Sequence, residues 1–249
     1  MIIAHRGESY VAPENSLSAI NQAWEKGAKA VEIDVHLAAD HEIVVIHDKH
    51  TGRIGDVKYL IAKSSLQKLK GVDIGRKNAP DYAGENIPTL LEVIKIIPRD
   101  RKLIIEIKCG NEIIVPLTET LQKSGLENDQ FEIISFDLNT LSLAKKAMPQ
   151  YNMLWLLDLD YYWPHWLLRT NPAKIIKKVI RNKLNGVNAW AGKALDKSFV
   201  NAFKKEGLLV YAWTVNEPAK TETLLGNGID AITTDRAAWL TGQLAKMGS

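Results

Sequence analysis

The sequence predicts an α/β fold, a (β/α)8 TIM barrel with a β-hairpin after its second strand and a short insertion. Nine short runs rich in Val, Ile and Leu recur along the chain, and helix-length segments with one apolar face separate most of them. One pair of runs lies too close together for the crossover that parallel neighbours need. Repeated β-then-α units call for a parallel sheet covered by helices. A length of 249 residues suits two ordinary domains or one barrel, which takes about 250 residues. No linker or composition shift divides the chain, so a single domain over residues 1–249 is expected.

The first run, residues 2–4, leads into His5-Arg6-Gly7-Glu8, which is not the Gly-rich phosphate loop an open doubly wound sheet would place there. The second and third runs, 31–35 and 43–46, must pair as a hairpin. With its turn at Ala39, Asp40 and His41, partner numbers sum to 80 or 81, setting His47 opposite Ile33 or Asp34. Residues 49–88 read as a short, polar insertion. Thr89 with Glu92 forms a capping box ahead of the run at 103–107, and the run at 131–135 precedes Asp137 as an N-cap. After 153–157, Asn171 followed by Pro172 starts a helix whose basic residues, at 174–178 and 181–183, form its solvated side. The run at 186–188 leads to a helix that Asp196 opens and Gly207 stops, and the runs at 208–213 and 229–233 complete the series. With one run assigned to the hairpin, eight parallel strands remain.

Composition narrows the partners. Basic and acidic residues number 32 and 29, and a net charge of +3 provides no field for gripping nucleic acid. No apolar run approaches the ~18 residues of a membrane span, and Met1 to Ala4 runs directly into His5 and Arg6. With Cys109 as its single cysteine, the chain is expected to be cytoplasmic and to form no internal disulfide.

A barrel gathers the C-terminal ends of its strands, so chemistry is sought there. Period-two alternation turns Glu32 and Asp34 to one side, and likewise Glu106 and Lys108. These acids sit in apolar strands, where a charge needs a partner. Three converging carboxylates call for a cation, and an all-oxygen donor set selects Mg²⁺ or Ca²⁺ over zinc. Arg6 and Lys108 add positive charge that suits an anionic substrate such as a phosphate diester. His5 and His47, from different strands, provide imidazoles that accept or donate a proton near neutral pH, and Asp48 can orient one of them.

His5-Arg6-Gly7, Glu14-Asn15-Ser16, Glu32-x-Asp34, His47-Asp48, Glu106-x-Lys108 and Trp213-Thr214-Val215-Asn216 occur in the order and spacing of the glycerophosphodiester phosphodiesterase family, which the chain resembles as far as Thr234-Asp235. The resemblance implies metal-dependent hydrolysis of glycerophosphodiesters, such as glycerophosphocholine or glycerophosphoethanolamine, to sn-glycerol 3-phosphate and an alcohol. By resemblance, Glu32, Asp34 and Glu106 are metal ligands, His5 and His47 the catalytic histidines, and Arg6 and Lys108 phosphate-binding residues. Glu14 and Asn15 match a supporting loop, while Phe136 and Trp213 match an apolar wall beside the glycerol. Attack by water and attack by the neighbouring glycerol hydroxyl, through a cyclic phosphate, both remain open. The sequence has Ala39-Asp40-His41 where the family has Asp-Gly, and Ala237 where it often has proline.

Two other readings use the same barrel. One is a lipid hydrolase of the lysophospholipase D or sphingomyelinase D kind, whose supporting feature is the aromatic segment 161–168. Packing over the helices or a homodimer contact is the preferred account of that segment, ahead of peripheral membrane contact, and the protein is expected to be a monomer or homodimer. The other is a non-catalytic barrel that binds a phosphorylated ligand, against which stands the joint presence of His5, His47, Glu32, Asp34 and Glu106.

Overall fold

The computed structural model describes residues 1–77, 80–159 and 171–247. Its strands are β1 (Ile2–His5), β2 (Ala30–Leu37), β3 (Ile43–Val45), β4 (Lys102–Ile107), β5 (Phe131–Ser135), β6 (Asn152–Leu157), β7 (Gly186–Trp190), β8 (Leu209–Trp213) and β9 (Ala231–Thr234). They run in the order β1-β9-β8-β7-β6-β5-β4-β2-β3, and β1 also pairs with β2. Every pairing is parallel except that of β3 with β2, so the eight parallel strands close into a barrel with β3 as an appended hairpin strand. The hairpin partners are Val35 with Val45, His36 with Val44 and Leu37 with Ile43, which fixes the sum at 80. His41 takes the turn's left-handed position at φ 64°. An imidazole tolerates that conformation less readily than the glycine a tight turn prefers.

The helices are α1 (Leu17–Glu25), α2 (Leu66–Lys70), α3 (Leu90–Ile94), α4 (Ile114–Gln122), α5 (Leu138–Ala147), α6 (Pro172–Arg181), α7 (Lys197–Lys205), α8 (Pro218–Gly226) and α9 (Ala237–Met247). Their start signals work as local hydrogen-bond chemistry. The side chains of Asp137, Asn171 and Asp196 each accept from a backbone N–H of the following turn, and Thr89 and Glu92 satisfy each other as a capping box. Gly207, at φ 69°, ends α7. On α6, Ile175, Ile176 and Val179 are buried while Lys174, Lys177, Lys178 and Arg181 face solvent, so the basic run is the wet side of an amphipathic helix. No helix among the described residues is long and apolar enough to cross a membrane.

Two layers of packing hold the barrel. Outward-facing residues such as Val31, Ile33, Ile105, Ile133 and Val210 pack under the helices, while Ile3, Ala30, Ile104, Ile134, Leu154, Leu156 and Tyr211 fill the interior. A side chain such as Ile105, removed entirely from water, stabilises the fold by about 1.5–3 kcal/mol. The insertion differs from its expected polar character. Ile54, Ile61, Leu69, Val72, Ile74 and Ile87 pack with Ala38, Val44 and Ile46 into a separate apolar cluster. Its apolar residues follow neither the helical nor the strand period over any length, because short 3-10 turns, the brief helix α2 and bends carry them inward, so no periodic signal marks them.

Candidate active site

The carboxylates come from adjoining strands. Asp34 on β2 registers with Glu106 on β4, and Glu32 registers with His5 on β1. One oxygen from each of Glu32, Asp34 and Glu106 lies within 4.8 Å of the others, and all three residues are buried. Glu32 Oε2 accepts from the backbone N–H of Arg6 at 3.1 Å, whereas Glu32 Oε1 and Asp34 Oδ1 have no hydrogen-bond partner among the described residues, Asp34 Oδ1 lying 3.6 Å from Lys108 Nζ. Burial and the charges of Asp34 and Glu106 push the Glu32 carboxyl well above the usual carboxylate range. Burial and Asp34 push Glu106 up to about 7, with Lys108 partly offsetting them. Asp34 resists the same burial because Arg6 and Lys108 hold its carboxyl below its ordinary value. Buried acceptors without hydrogen bonds and mutual repulsion are what a hard divalent cation would relieve, so this donor set fits Mg²⁺ or Ca²⁺.

The loop after β1 is bent to serve this cluster. Arg6 and Asn15 both adopt left-handed conformations, at φ 58° and 60°. Such backbone is unfavourable for side-chain-bearing residues and persists where surrounding contacts over-determine it. Here Asn15 N–H donates to Arg6 O at 2.9 Å, Asn15 Nδ2 donates to Asp34 Oδ2 at 2.8 Å, and Asp34 N–H returns to Asn15 Oδ1 at 3.0 Å. Gly7 is required because a Cβ there would stand 2.5 Å from the carbonyl carbon of Ala19. The turn carries Arg6 Nε to 3.1 Å from Asp34 and Nη1 to 2.9 Å from Glu14.

Both histidines are held by aspartates. His47 Nδ1 lies 2.6 Å from Asp48 Oδ1, and His5 Nδ1 lies 2.6 Å from Asp235 Oδ1. A carboxylate only accepts, so each Nδ1 carries the proton and each Nε2 is left to the pocket. His47 Nε2 stands 3.1 Å from Lys108 Nζ, and His5 Nε2 3.9 Å from Glu32. Burial lowers the His47 pKa, with Arg6 and Lys108 adding to that effect against Asp34 and Asp48, so its imidazole is neutral near pH 7. Lys108 Nζ also donates to Glu106 Oε1 at 2.7 Å.

A cavity of about 120 Å³ opens beside these groups. His5, Arg6, Glu32, His47, Glu106 and Lys108 form its charged wall, and Ile134, Phe136, Leu156 and Trp213 its apolar one. Phe136 meets Trp213 edge to face at 5.5 Å between ring centres, and Trp213 Nε1 donates to the carbonyl of Asn188 at 3.2 Å. The twelve site residues expected from the sequence therefore converge at one end of the barrel: eight line the cavity, and Glu14, Asn15, Asp34 and Asp48 hold those that do.

Three further residues belong to this framework. Asp235 holds His5, and Asn216 holds Asp235, donating through Nδ2 at 2.7 Å while its Oδ1 accepts from the Asp235 N–H. Both lie in motifs visible in the sequence, but the link to His5 exists only because β9 closes the ring against β1. Arg53, from the 3-10 turn Thr51–Arg53 of the insertion, grips Glu14 through both terminal nitrogens at 2.7 and 2.8 Å and Asp48 through Nε at 2.8 Å. No sequence pattern singles it out.

The chain is similar to known proteins over nearly its whole length. The model of the glycerophosphoryl diester phosphodiesterase family matches residues 5–238. The chain is 31% identical to a glycerophosphodiester phosphodiesterase of Caldanaerobacter subterraneus subsp. tengcongensis, covering 100% of this chain and 99% of that one. Among solved structures, an Oleispira antarctica phosphodiesterase in complex with the product sn-glycerol-3-phosphate superposes with a TM-score of 0.87 at 29% identity, over 98% of this chain and 96% of the other. A glycerophosphodiester phosphodiesterase of Thermotoga maritima shares the fold, with a TM-score of 0.78 at 24% identity over 97% of each chain.

Proposed function

Since the chain belongs to the glycerophosphoryl diester phosphodiesterase family and is a phosphoric diester hydrolase, we propose that it cleaves glycerophosphodiesters such as glycerophosphocholine or glycerophosphoethanolamine with a bound divalent cation and paired histidines. The products are sn-glycerol 3-phosphate and the free alcohol. The observation that carries the reading is the buried cluster of Glu32, Asp34 and Glu106, with Glu32 Oε1 and Asp34 Oδ1 lacking a hydrogen bond among the described residues, beside a pocket lined by two histidines that aspartates hold.

Glu32, Asp34 and Glu106 would hold Mg²⁺ or Ca²⁺. When bound, the cation supplies positive charge against the phosphate oxygens as negative charge builds on them. Arg6 and Lys108 bind the same phosphate, adding fixed charge that needs no reorganisation during reaction. His5 and His47 move the two protons, one taken from the attacking hydroxyl or water and one given to the leaving alkoxide. Asp235 and Asp48 keep the correct ring nitrogen facing the substrate, as an orienting carboxylate does in a hydrolytic triad.

The cavity lies below the roughly 300 Å³ at which pockets for drug-sized ligands begin, which favours enclosure of one small polyol phosphate with the second alcohol left outside. The aromatic segment 161–168, on which the lipid-hydrolase reading leans, lies outside the described residues. The complete set of acids and histidines weighs against a barrel that only binds. We read residues 1–249 as one catalytic unit. The test is coupled detection of glycerol 3-phosphate released from a panel of glycerophosphodiesters, with and without EDTA. Release abolished by EDTA and restored by Mg²⁺ or Ca²⁺ is expected, and full turnover in EDTA would remove the metal from the account.

A further inference from the structure

Two polar side chains interrupt the apolar side of the pocket. Asn188 on β7 and Thr233 on β9 both line it, flanking β8 and its Trp213, and each is only 2% exposed. Asn188 Oδ1 and Thr233 Oγ1 have no hydrogen-bond partner among the described residues. Buried polar groups of a folded protein are nearly always paired, so two orphans lining one cavity call for a cause. Packing is not the cause, since the neighbouring interior positions Ile3, Ile134 and Leu156 are filled by hydrocarbon. Neither residue belongs to the charged wall of β1, β2 and β4.

We propose that Asn188 and Thr233 are specificity-determining residues that hydrogen-bond the free hydroxyls of the substrate's glycerol group. The inference rests on the phosphodiesterase reading of this pocket and assigns these residues a role within it. An alcohol hydroxyl both donates and accepts, as do an amide and a threonine hydroxyl, so either polarity can be matched. The chemistry also explains why an apolar wall would not suffice. A hydrophobic pocket separates ligands that differ by one hydroxyl only about 10²-fold, whereas a site built to pair with that hydroxyl rejects the analogue lacking it by up to about 10⁴–10⁵-fold. Trp213, fixed through the Asn188 carbonyl, packs the glycerol carbons while the Asn188 side chain reads an oxygen.

The experiment compares wild type, Asn188→Leu and Thr233→Val in calorimetric binding of sn-glycerol 3-phosphate and of propyl phosphate, which differ only in the hydroxyls and are not cleaved. Wild type is expected to bind glycerol 3-phosphate more tightly, and each variant to cut that preference by about tenfold or more, one hydrogen bond's worth. Thermal stability should stay level or rise, because each change replaces an unpaired buried polar group by hydrocarbon of similar shape. Equal losses on both ligands, or an unchanged preference, would overturn the proposal. The two positions lie on different strands, so if one variant fails to fold the other still decides. Turnover of glycerophosphoethanolamine by folded wild type is measured alongside: if it is absent, the phosphodiesterase reading fails by itself, and the binding comparison still judges the pair.

Discussion

His5 and Asp235 stand 230 residues apart in the chain and 2.6 Å apart in the barrel, Nδ1 to Oδ1. They meet because the first and last strands are neighbours, Ile3 beside Thr233 and Ala4 beside Thr234. Ring closure thus gives His5 the same kind of partner that His47 receives from the next residue in sequence.

Asp235→Asn tests that relationship. An amide can donate to Nδ1 and so favours the wrong tautomer, with the proton on Nε2. The expected result is a fall in kcat of roughly two orders of magnitude or more, with an unchanged circular dichroism spectrum. His5→Ala and His47→Ala should lose at least as much, measured as glycerol 3-phosphate release.

Metal binding should release protons. Burial and neighbouring carboxylates raise Glu32 well above its ordinary value and Glu106 to about 7, so the metal-free pocket carries protons near neutrality that a cation must expel. Affinity for Mg²⁺ or Ca²⁺ is therefore expected to be weaker at pH 6 than at pH 8. Calorimetry in two buffers of different ionisation heat measures the proton count directly, and pH-independent affinity without proton release would contradict the cluster's electrostatics. The sign for stability follows. With a folded-state pKa raised, the contribution of Glu106 in the metal-free protein is full below its usual value near 4.5 and is lost as pH rises through about 7. In Glu106→Gln that part of the pH dependence should disappear.

Arg53→Met should uncouple two halves of the site. The guanidinium ties Glu14, the partner of Arg6, to Asp48, the partner of His47. A loss in kcat of roughly tenfold or more is expected from misplacement alone, since Arg53 is not among the residues lining the pocket. Burial raises Asp48, but hydrogen bonds from Arg53 and His47 outweigh it and bring the carboxyl down to about 2. Because that pKa is depressed, its stabilisation is present above about 3.8 and lost as pH falls through about 2. Acid titration followed by circular dichroism should find this loss at higher pH in Arg53→Met.

Cys109 should be a sluggish thiol. Burial pushes it up to about 11, with Glu112 adding to the effect, so almost no thiolate exists at pH 8. Reaction with a disulfide reagent is expected to be slow in the native protein, fast after denaturation, and faster in native protein as pH rises past 9. Rapid native labelling at pH 7 would refute this.

The barrel was legible because its signals are local. Alternating and continuous apolar runs mark strands through side-chain period, and caps such as Thr89 with Glu92 mark helix starts through hydrogen bonds within one turn. The acids at Glu32, Asp34 and Glu106 were legible for a related reason: period two puts alternate residues on one face, and a charge amid isoleucines stands out. The core of the insertion lacked such a period, and Arg53 lay in a 3-10 turn where spacing does not fix direction.

By itself, then, the sequence determined which residues lie on strands, which way the acids face and that one strand pair is a hairpin. These follow from covalent geometry over a few residues. Tertiary structure alone decided that Asp235 serves His5, that Arg53 ties Glu14 to Asp48, and that Asn188 Oδ1 and Thr233 Oγ1, on two residues lining the pocket, lack a hydrogen bond among the described residues. Each of these depends on barrel closure and register, which bring together groups whose separation along the chain carries no information about their separation in space.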